Sequence, residues 1–221
     1  MNDQHPPPVT DGQVEAVRRT VRIGDRTSTS VNAASTLSQT YPTDVDDLWQ
    51  ACTSPERLTR WFAPVTGDLQ LGGRYQIEGN AGGEVRACEP PKTFTLSWEF
   101  GGGATEVVVR VEPDGDGARL TLEHTGDVPL EFWDQFGPGA TGVGWDLALL
   151  GLAGHLRTGH GKPEDEEAWT MSPEAQAFII ECSRAWGDAD IDAGTPEAEA
   201  RAAQGRTTAF YTGVAEPVSN A

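Results

Sequence analysis

The sequence predicts an α+β fold in which an antiparallel β-meander is covered on one face by a single long apolar helix. Three observations carry this. Residues 65–126 alternate apolar and polar with period two, and Gly-Gly, Pro-Pro and Asp-Gly pairs divide them into six short strands. Connections that short join antiparallel neighbours, because a parallel pair needs a crossover of about a dozen residues or more. Finally, "GVGWDLALLGLAGHLRT" (residues 142–158) has helical spacing, with Trp145, Leu149, Leu152 and Leu156 on one stripe and Val143, Leu147 and Leu150 on another. Asp146 and Arg157 read as a thin polar edge, so this helix is expected to be packed on more than one side.

Taken in order, residues 1 to about 16 contain three consecutive prolines and no periodic pattern, and are expected to be disordered. "VRRTVRI" alternates Val17, Arg19, Val21 and Ile23 against Arg18, Thr20 and Arg22, as a short edge strand guarded by charge would. "SVNAASTLSQTY" is a further strand ending at Pro42. "TDVDDLWQACTSPERLTRWF" is a helix with Thr43 as N-cap, broken and restarted at Pro55. In the meander, one parity carries Tyr75 and Ile77, Val85 and Ala87, Phe94 to Phe100, Val107 to Val111, and Leu120, Leu122 and His124. The other carries Arg74, Glu78, Thr95, Glu99, Arg110, Arg119 and Glu123 and faces water. Helix 142–158 is the cover for the apolar face, and its strip of Gly144, Ala148 and Gly151 permits close approach or leaves room for a guest. After Lys162, "SPEAQ" and "TPEAE" each open a helix with a hydroxyl N-cap and Pro at the first position. Their apolar stripe, Phe178, Ile179, Cys182, Trp186 and Ala189, is expected to dock on the second apolar side of helix 142–158. The segments expected are therefore an arm, 1–28, partly disordered with a short strand; a binding domain, 29–160; an acidic two-helix extension, 163–213; and a disordered tail, 214–221.

Charge narrows the partners. The formal net charge is −18, which repels phosphate backbones and anionic lipid heads, so no nucleic acid and no membrane insertion are expected. Residues 163–221 hold twelve Asp or Glu against three Arg, half of that net charge, which suits a basic protein partner at the acidic C-terminal helices. The start has no apolar run of signal-peptide type, and we expect a cytoplasmic protein. Cys52, Cys88 and Cys182 are widely spaced, as buried reduced thiols would be, with no disulfide framework or zinc set.

The chemical motifs are weak. "GPGATG" (137–142) matches G-x-G-x-x-G but lacks a βαβ context, and "DGDG" (114–117) reads as a hairpin turn because no Glu closes a calcium loop. No nucleophile motif, metal set or cofactor site is expected. His124 on the apolar parity reads first as a core or rim histidine bonded through one nitrogen, and second as an acid or base.

"LWQACTSPERLTRWFAP", "GDLQLGGRYQIEG", "GGEVRACEPPKTFTLSWEF", "RLTLEHTG" and "GVGWDLALLGLAGHL" occur in the order found in the bacterial activator-of-heat-shock-ATPase-homologue branch of the START-like (SRPBCC) superfamily, which residues 30–158 closely resemble. Trp61, Phe62, Gly72, Gly73, Pro90, Trp98, His124, Gly144 and Trp145 match its structural signatures. The resemblance implies a helix-grip fold: a seven-stranded antiparallel sheet wrapped around the long C-terminal helix, here with a helical C-terminal extension outside the common domain. It also implies a cavity between sheet and helix, where members bind lipids, sterols, polyketides or hormones and a few catalyse cyclisation or hydration. Here the expected ligand-binding residues on the sheet are Tyr75, Ile77, Phe94, Leu96, Trp98, Val109, Leu122 and His124. Trp145, Ala148, Leu149 and Leu152 on the helix join them, with Trp61 and Phe62. The leading expectation is a binder of a small hydrophobic ligand, the next a co-chaperone-like interaction module, and the third a cavity enzyme using His124 or Tyr75.

Overall fold

The structure, a computed structural model, describes residues 10–163 and 165–213. One antiparallel sheet runs in the order β1-β2-β8-β7-β6-β5-β4-β3, with β1 Arg18–Arg26, β2 Ser30–Tyr41, β3 Val65–Gly67, β4 Arg74–Ile77, β5 Gly82–Glu89, β6 Thr93–Phe100, β7 Gly103–Asp114 and β8 Gly117–Pro129. The helices are α1 Gln13–Ala16, α2 Val45–Thr53, α3 Pro55–Trp61, α4 Leu130–Phe136, α5 Gly139–Thr158, α6 Glu166–Thr170, α7 Pro173–Asp192 and α8 Glu197–Thr212. The helix-grip architecture and the six-strand meander agree with expectation, and the sheet has eight strands where seven were expected. The eighth is β1, nine residues long, joined to β2 by a tight turn in which the Thr27 N–H donates to Ser30 O (2.8 Å).

Several local expectations change. The unpatterned segment before β1 contains α1, whose Gln13 is buried and exchanges amide hydrogen bonds with Gln39, so residues 10–16 are ordered; residues 1–9 and 214–221 lie outside those described. Asp44, not Thr43, caps α2 by accepting from Asp47 N–H, while the Thr43 hydroxyl donates to the Asp47 carboxylate. Ser172 caps α7 as expected, whereas Thr195 turns away from α8 and donates to Asp190. A β-bulge between Val85 and Ala87 reverses the parity of β5, so Ala87 points out and Cys88 lines the inner side while staying exposed; of the three thiols expected to be buried, Cys182 is buried, Cys52 is half-buried and Cys88 is not. Phe100 is at a hairpin tip and is 62% exposed.

Helix α5 lies against the inner sheet face, and α7 packs on its other side. The largest correction concerns Asp146, expected on a polar edge and found with 0% exposure. Its carboxylate accepts from Arg19 of β1 (Nη2 2.8 Å) and from the Trp186 indole N–H of α7 (2.8 Å). Arg19 is no guard on an edge strand, for its side chain is 5% exposed and it also donates to Val14 O and Val17 O. The glycines of "GPGATG" serve packing: a Cβ at Gly139 would press on Thr207 of α8, and one at Gly142 would collide with the Trp186 ring. "DGDG" is the β7–β8 hairpin, with Gly115 at φ +58°.

Candidate functional site

Where the curved sheet stands away from α5 it leaves a cavity of about 240 Å³. Period-two alternation supplies the floor from β4 to β8, helical spacing supplies Trp145, Ala148 and Leu149 from α5, and Trp49, Leu58 and Trp61 of α2 and α3 close one side. Of the fourteen residues expected to bind ligand, twelve line this space: Trp61, Phe62, Tyr75, Ile77, Phe94 and Leu96, then Trp98, Val109, Leu122, Trp145, Ala148 and Leu149. Leu152 does not. One turn beyond Leu149, α3 closes on α5 at Gly151, where Trp61 O would sit 2.5 Å from a Cβ, and Leu152 is fully buried in solid core.

Sequence reasoning did not assign other wall residues to the site. Val85, Val107 and Leu120 were visible as inward-facing by parity, but parity alone does not separate cavity wall from filled core. Cys88 was hidden by the bulge, and Leu58 reaches the cavity only because α3 folds back over the sheet.

His124 lines an adjoining cleft of about 290 Å³ instead. Phe62, Trp98 and Trp145 belong to both spaces and form the wall between them; Trp98 and Trp145 have ring centroids 5.0 Å apart, and Phe62 stacks on Trp145 at 6.4 Å. An indole N–H can only donate, so Trp145 Nε1 donating to His124 Nδ1 (3.1 Å) places the neutral imidazole proton on Nε2. Nε2 then donates to Thr105 Oγ1 (2.7 Å), whose own proton goes to Trp98 O (3.3 Å). His124 is thus bonded through both nitrogens, not one, and burial pulls its pKa down to about 4.

The other polar groups of the cavity wall are likewise committed. The Tyr75 hydroxyl donates to Ser97 O (2.8 Å), and burial raises its pKa to about 12. Trp61 Nε1 donates to Ala51 O (2.9 Å) and Thr53 Oγ1 to Trp49 O (2.8 Å). Burial pushes the Cys52 thiol up to about 12, away from the thiolate form that reacts. His155, at the far end of α5, accepts from Arg57 Nε at its Nε2 (3.2 Å) and donates from Nδ1 to His160 O (3.0 Å); burial lowers its pKa. Among the described residues no group of three or more His, Cys, Asp or Glu could hold a metal ion, and no helix is long and apolar enough to cross a membrane. This arrangement can enclose an apolar body; it holds no uncommitted acid–base pair.

Solved structures show the same build. CalU16 from Micromonospora echinospora is 33% identical to this chain in its solution structure, which covers 81% of this chain and 97% of its own, with a TM-score of 0.66. Its crystal structure gives 31%, 79%, 98% and 0.62 for the same quantities. That coverage exceeds what residues 29–160 make up, so the likeness reaches into the flanking elements that were expected to lie outside it. EF2215 from Enterococcus faecalis, at 12% identity and a TM-score of 0.57 over 78% of this chain and 92% of its own, shares the fold. No curated protein matches the chain. Residues 42–157, which span α2 through α5, match the family model described as Activator of Hsp90 ATPase homolog 1-like protein, and the chain belongs to that family.

Proposed function

We propose that the protein binds a small, largely apolar molecule in the cavity between the sheet and α5. The observation that supports this is a half-open cavity whose wall is aromatic and aliphatic and whose polar groups are already paired within the fold. Such a space gains little from water, which needs two to four polar partners, and favours an apolar guest. Selection then rests on shape and on contact with the rings of Trp49, Trp61, Phe94, Trp98 and Trp145.

Ala148 is the test position, because it lines the cavity without supporting a hydrogen bond. In native mass spectra of protein purified from its own host, the wild type is expected to carry a small-molecule adduct that Ala148→Phe lacks, with Tm kept or raised as the ring fills space. An adduct retained in Ala148→Phe, or no guest on the wild type and no uptake of apolar probes, overturns the proposal.

A second reading has its own observation. Helices α7 and α8 turn Glu174, Glu181, Asp188, Asp192, Glu197 and Glu199 outward, a carboxylate surface suited to a basic protein partner. Reversing Glu174, Glu181 and Glu197 to Lys is expected to abolish such an association while leaving the apolar guest bound.

A further inference from the structure

Helices α2 and α3, separated by Ser54 alone, form one body. Trp61 Nε1 donates to Ala51 O (2.9 Å), and Arg57 Nη1 donates to Asp47 Oδ1 (2.6 Å) and to Asp47 O (3.0 Å), so each helix holds the other. This body sets Trp49, Cys52, Leu58 and Trp61 along one side of the inner cavity. Its hold on α5 is slighter. The two pack at Gly151, which faces the Trp61 carbonyl, and among the described residues one hydrogen bond crosses between them: Arg57 Nε donates to His155 Nε2 (3.2 Å).

That bond fixes the protonation state of the ring. A guanidinium has only donors and keeps its proton, so Nε2 of His155 is the bare nitrogen, and the ring proton is on Nδ1, donated to His160 O (3.0 Å). The residue is 4% exposed, and its ring is neutral while the contact stands. A second proton has one place to go, Nε2, where it sets an N–H against the Arg57 N–H and a cation against a cation. Burial lowers the pKa of His155, and the guanidinium groups of Arg57 and Arg60 on α3 lower it further; the carbonyl of His160, in the segment after α5, and the Asp47 carboxylate of α2 oppose them without reversing the shift. Asp47 keeps its charge over a wider range. Burial raises its pKa, but hydrogen bonds from Thr43 and Arg57 hold it below the usual carboxylate value. As pH falls, Arg57 therefore stays on α2 while its contact with α5 fails.

We infer that the Arg57–His155 contact is an acid-sensitive latch that holds the α2–α3 body against α5, so that acid loosens this wall of the cavity and speeds the passage of an apolar guest. The inference rests on reading the cavity as a binding site. Its sign follows from linkage. With the latch open the ring takes its proton at higher pH than with the latch closed, so the open form binds more protons and gains population as pH falls. Each pH unit between the two uptakes multiplies that population by about ten. The proton leaves the packing at Gly151 intact, which makes loosening of the wall, not unfolding, the expected response.

The test follows the full-length 15N-labelled chain from pH 7.5 to pH 5, a range above the His124 titration at about 4. The His155 ring nitrogens are expected to titrate below about 6.5, and the Arg57 Nε–H resonance, identified by its loss in Arg57→Met, to move with the same midpoint. Naphthalene, which has no titrating group, serves as the guest. Its dissociation rate is expected to rise about tenfold across the range, the effect of one pH unit between the two uptakes. In His155→Gln an amide oxygen takes the place of Nε2 and accepts from Arg57 at every pH, so the rate is expected to be flat; in Arg57→Met it is expected to be fast at both ends. Relaxation dispersion of the α2 and α3 amides, growing as pH falls, reads the loosening without any guest. A chain that fails to bind naphthalene therefore counts against the proposed role of the cavity, while dispersion still decides the latch. A native His155 that titrates at or above its ordinary value, an Arg57 resonance that ignores that titration, dispersion that does not change with pH, or the wild-type dependence persisting in His155→Gln overturns the inference.

Discussion

His124 shows how far a single residue departs from what its place in the chain suggests. Its position on the inward parity of β8 marks it as half-buried, but its partners, Thr105 on the neighbouring strand and Trp145 on α5, come from segments 19 and 21 residues away. Proton placement follows from donor chemistry once those partners are known, and no local pattern announces them. The arrangement has a pH consequence. In the unfolded chain His124 takes a proton as pH falls through about 6.5, whereas the native imidazole, with its pKa lowered to about 4, stays neutral until lower pH. The unfolded state therefore binds more protons between those values, and the contribution of His124 to stability is present above about 6.5 and lost as pH falls toward 4, at up to about 1.4 kcal/mol per pH unit. His124→Asn, with an acceptor near the place of Nδ1, should be destabilised at pH 7.5 and should lose that slope. Urea unfolding of both proteins from pH 7.5 to 4.5 reads the difference, and parallel pH profiles would show that His124 takes up its proton over the same pH range in the native and unfolded states.

Alternation makes the strands legible because each has one wet face, and an apolar helix without a wet side announces burial on two sides. Patterning is silent on what joins elements. Asp146 looks like the polar edge of α5 because a carboxylate among leucines ordinarily marks solvent, and its partners Arg19 and Trp186 are 127 and 40 residues away. Likewise the cavity wall is legible as the inward face of the meander, while the boundary between wall and solid core, drawn at Leu149 and Leu152, is set by where α3 closes on α5. The buried carboxylate joins three elements, β1, α5 and α7. Burial pushes its pKa up and Arg19 opposes that push. Arg19→Met strands the carboxylate without its cation, and a loss of about 3–5 kcal/mol is expected. Adding Asp146→Asn removes the stranded charge and keeps an acceptor for the Trp186 indole, so the double variant should recover more than half of the loss. Denaturant midpoints of the three variants check this, and additive losses would mean that the pair is not coupled.

At the scale of the whole molecule, α5 is held between two surfaces of different origin: the inner face of the sheet on one side, and β1, α7 and α8 on the other. No described residue beyond 162 lines the inner cavity, yet the wall formed by Trp145, Ala148 and Leu149 is positioned by a helix whose back is covered by Phe178, Ile179, Cys182 and Trp186. A chain ending at residue 162 would expose Val143 and Leu150, now 0% and 2% exposed, at a cost of about 1.5–3 kcal/mol each, and would strip Asp146 of one hydrogen bond. Against a total stability of about 5–15 kcal/mol for a typical domain, that is a large fraction. The truncated protein is therefore expected to melt at lower temperature and to release the apolar guest through loss of order in α5, although every residue of the cavity wall remains. Gly142→Val tests the same coupling without shortening the chain, because its side chain would push the Trp186 ring, and α7 with it, away from α5. If α7 is what holds α5 on the sheet, the two variants should lose guest affinity in proportion to their loss of stability. Full affinity in a destabilised truncation would show instead that the sheet alone sets the shape of the cavity.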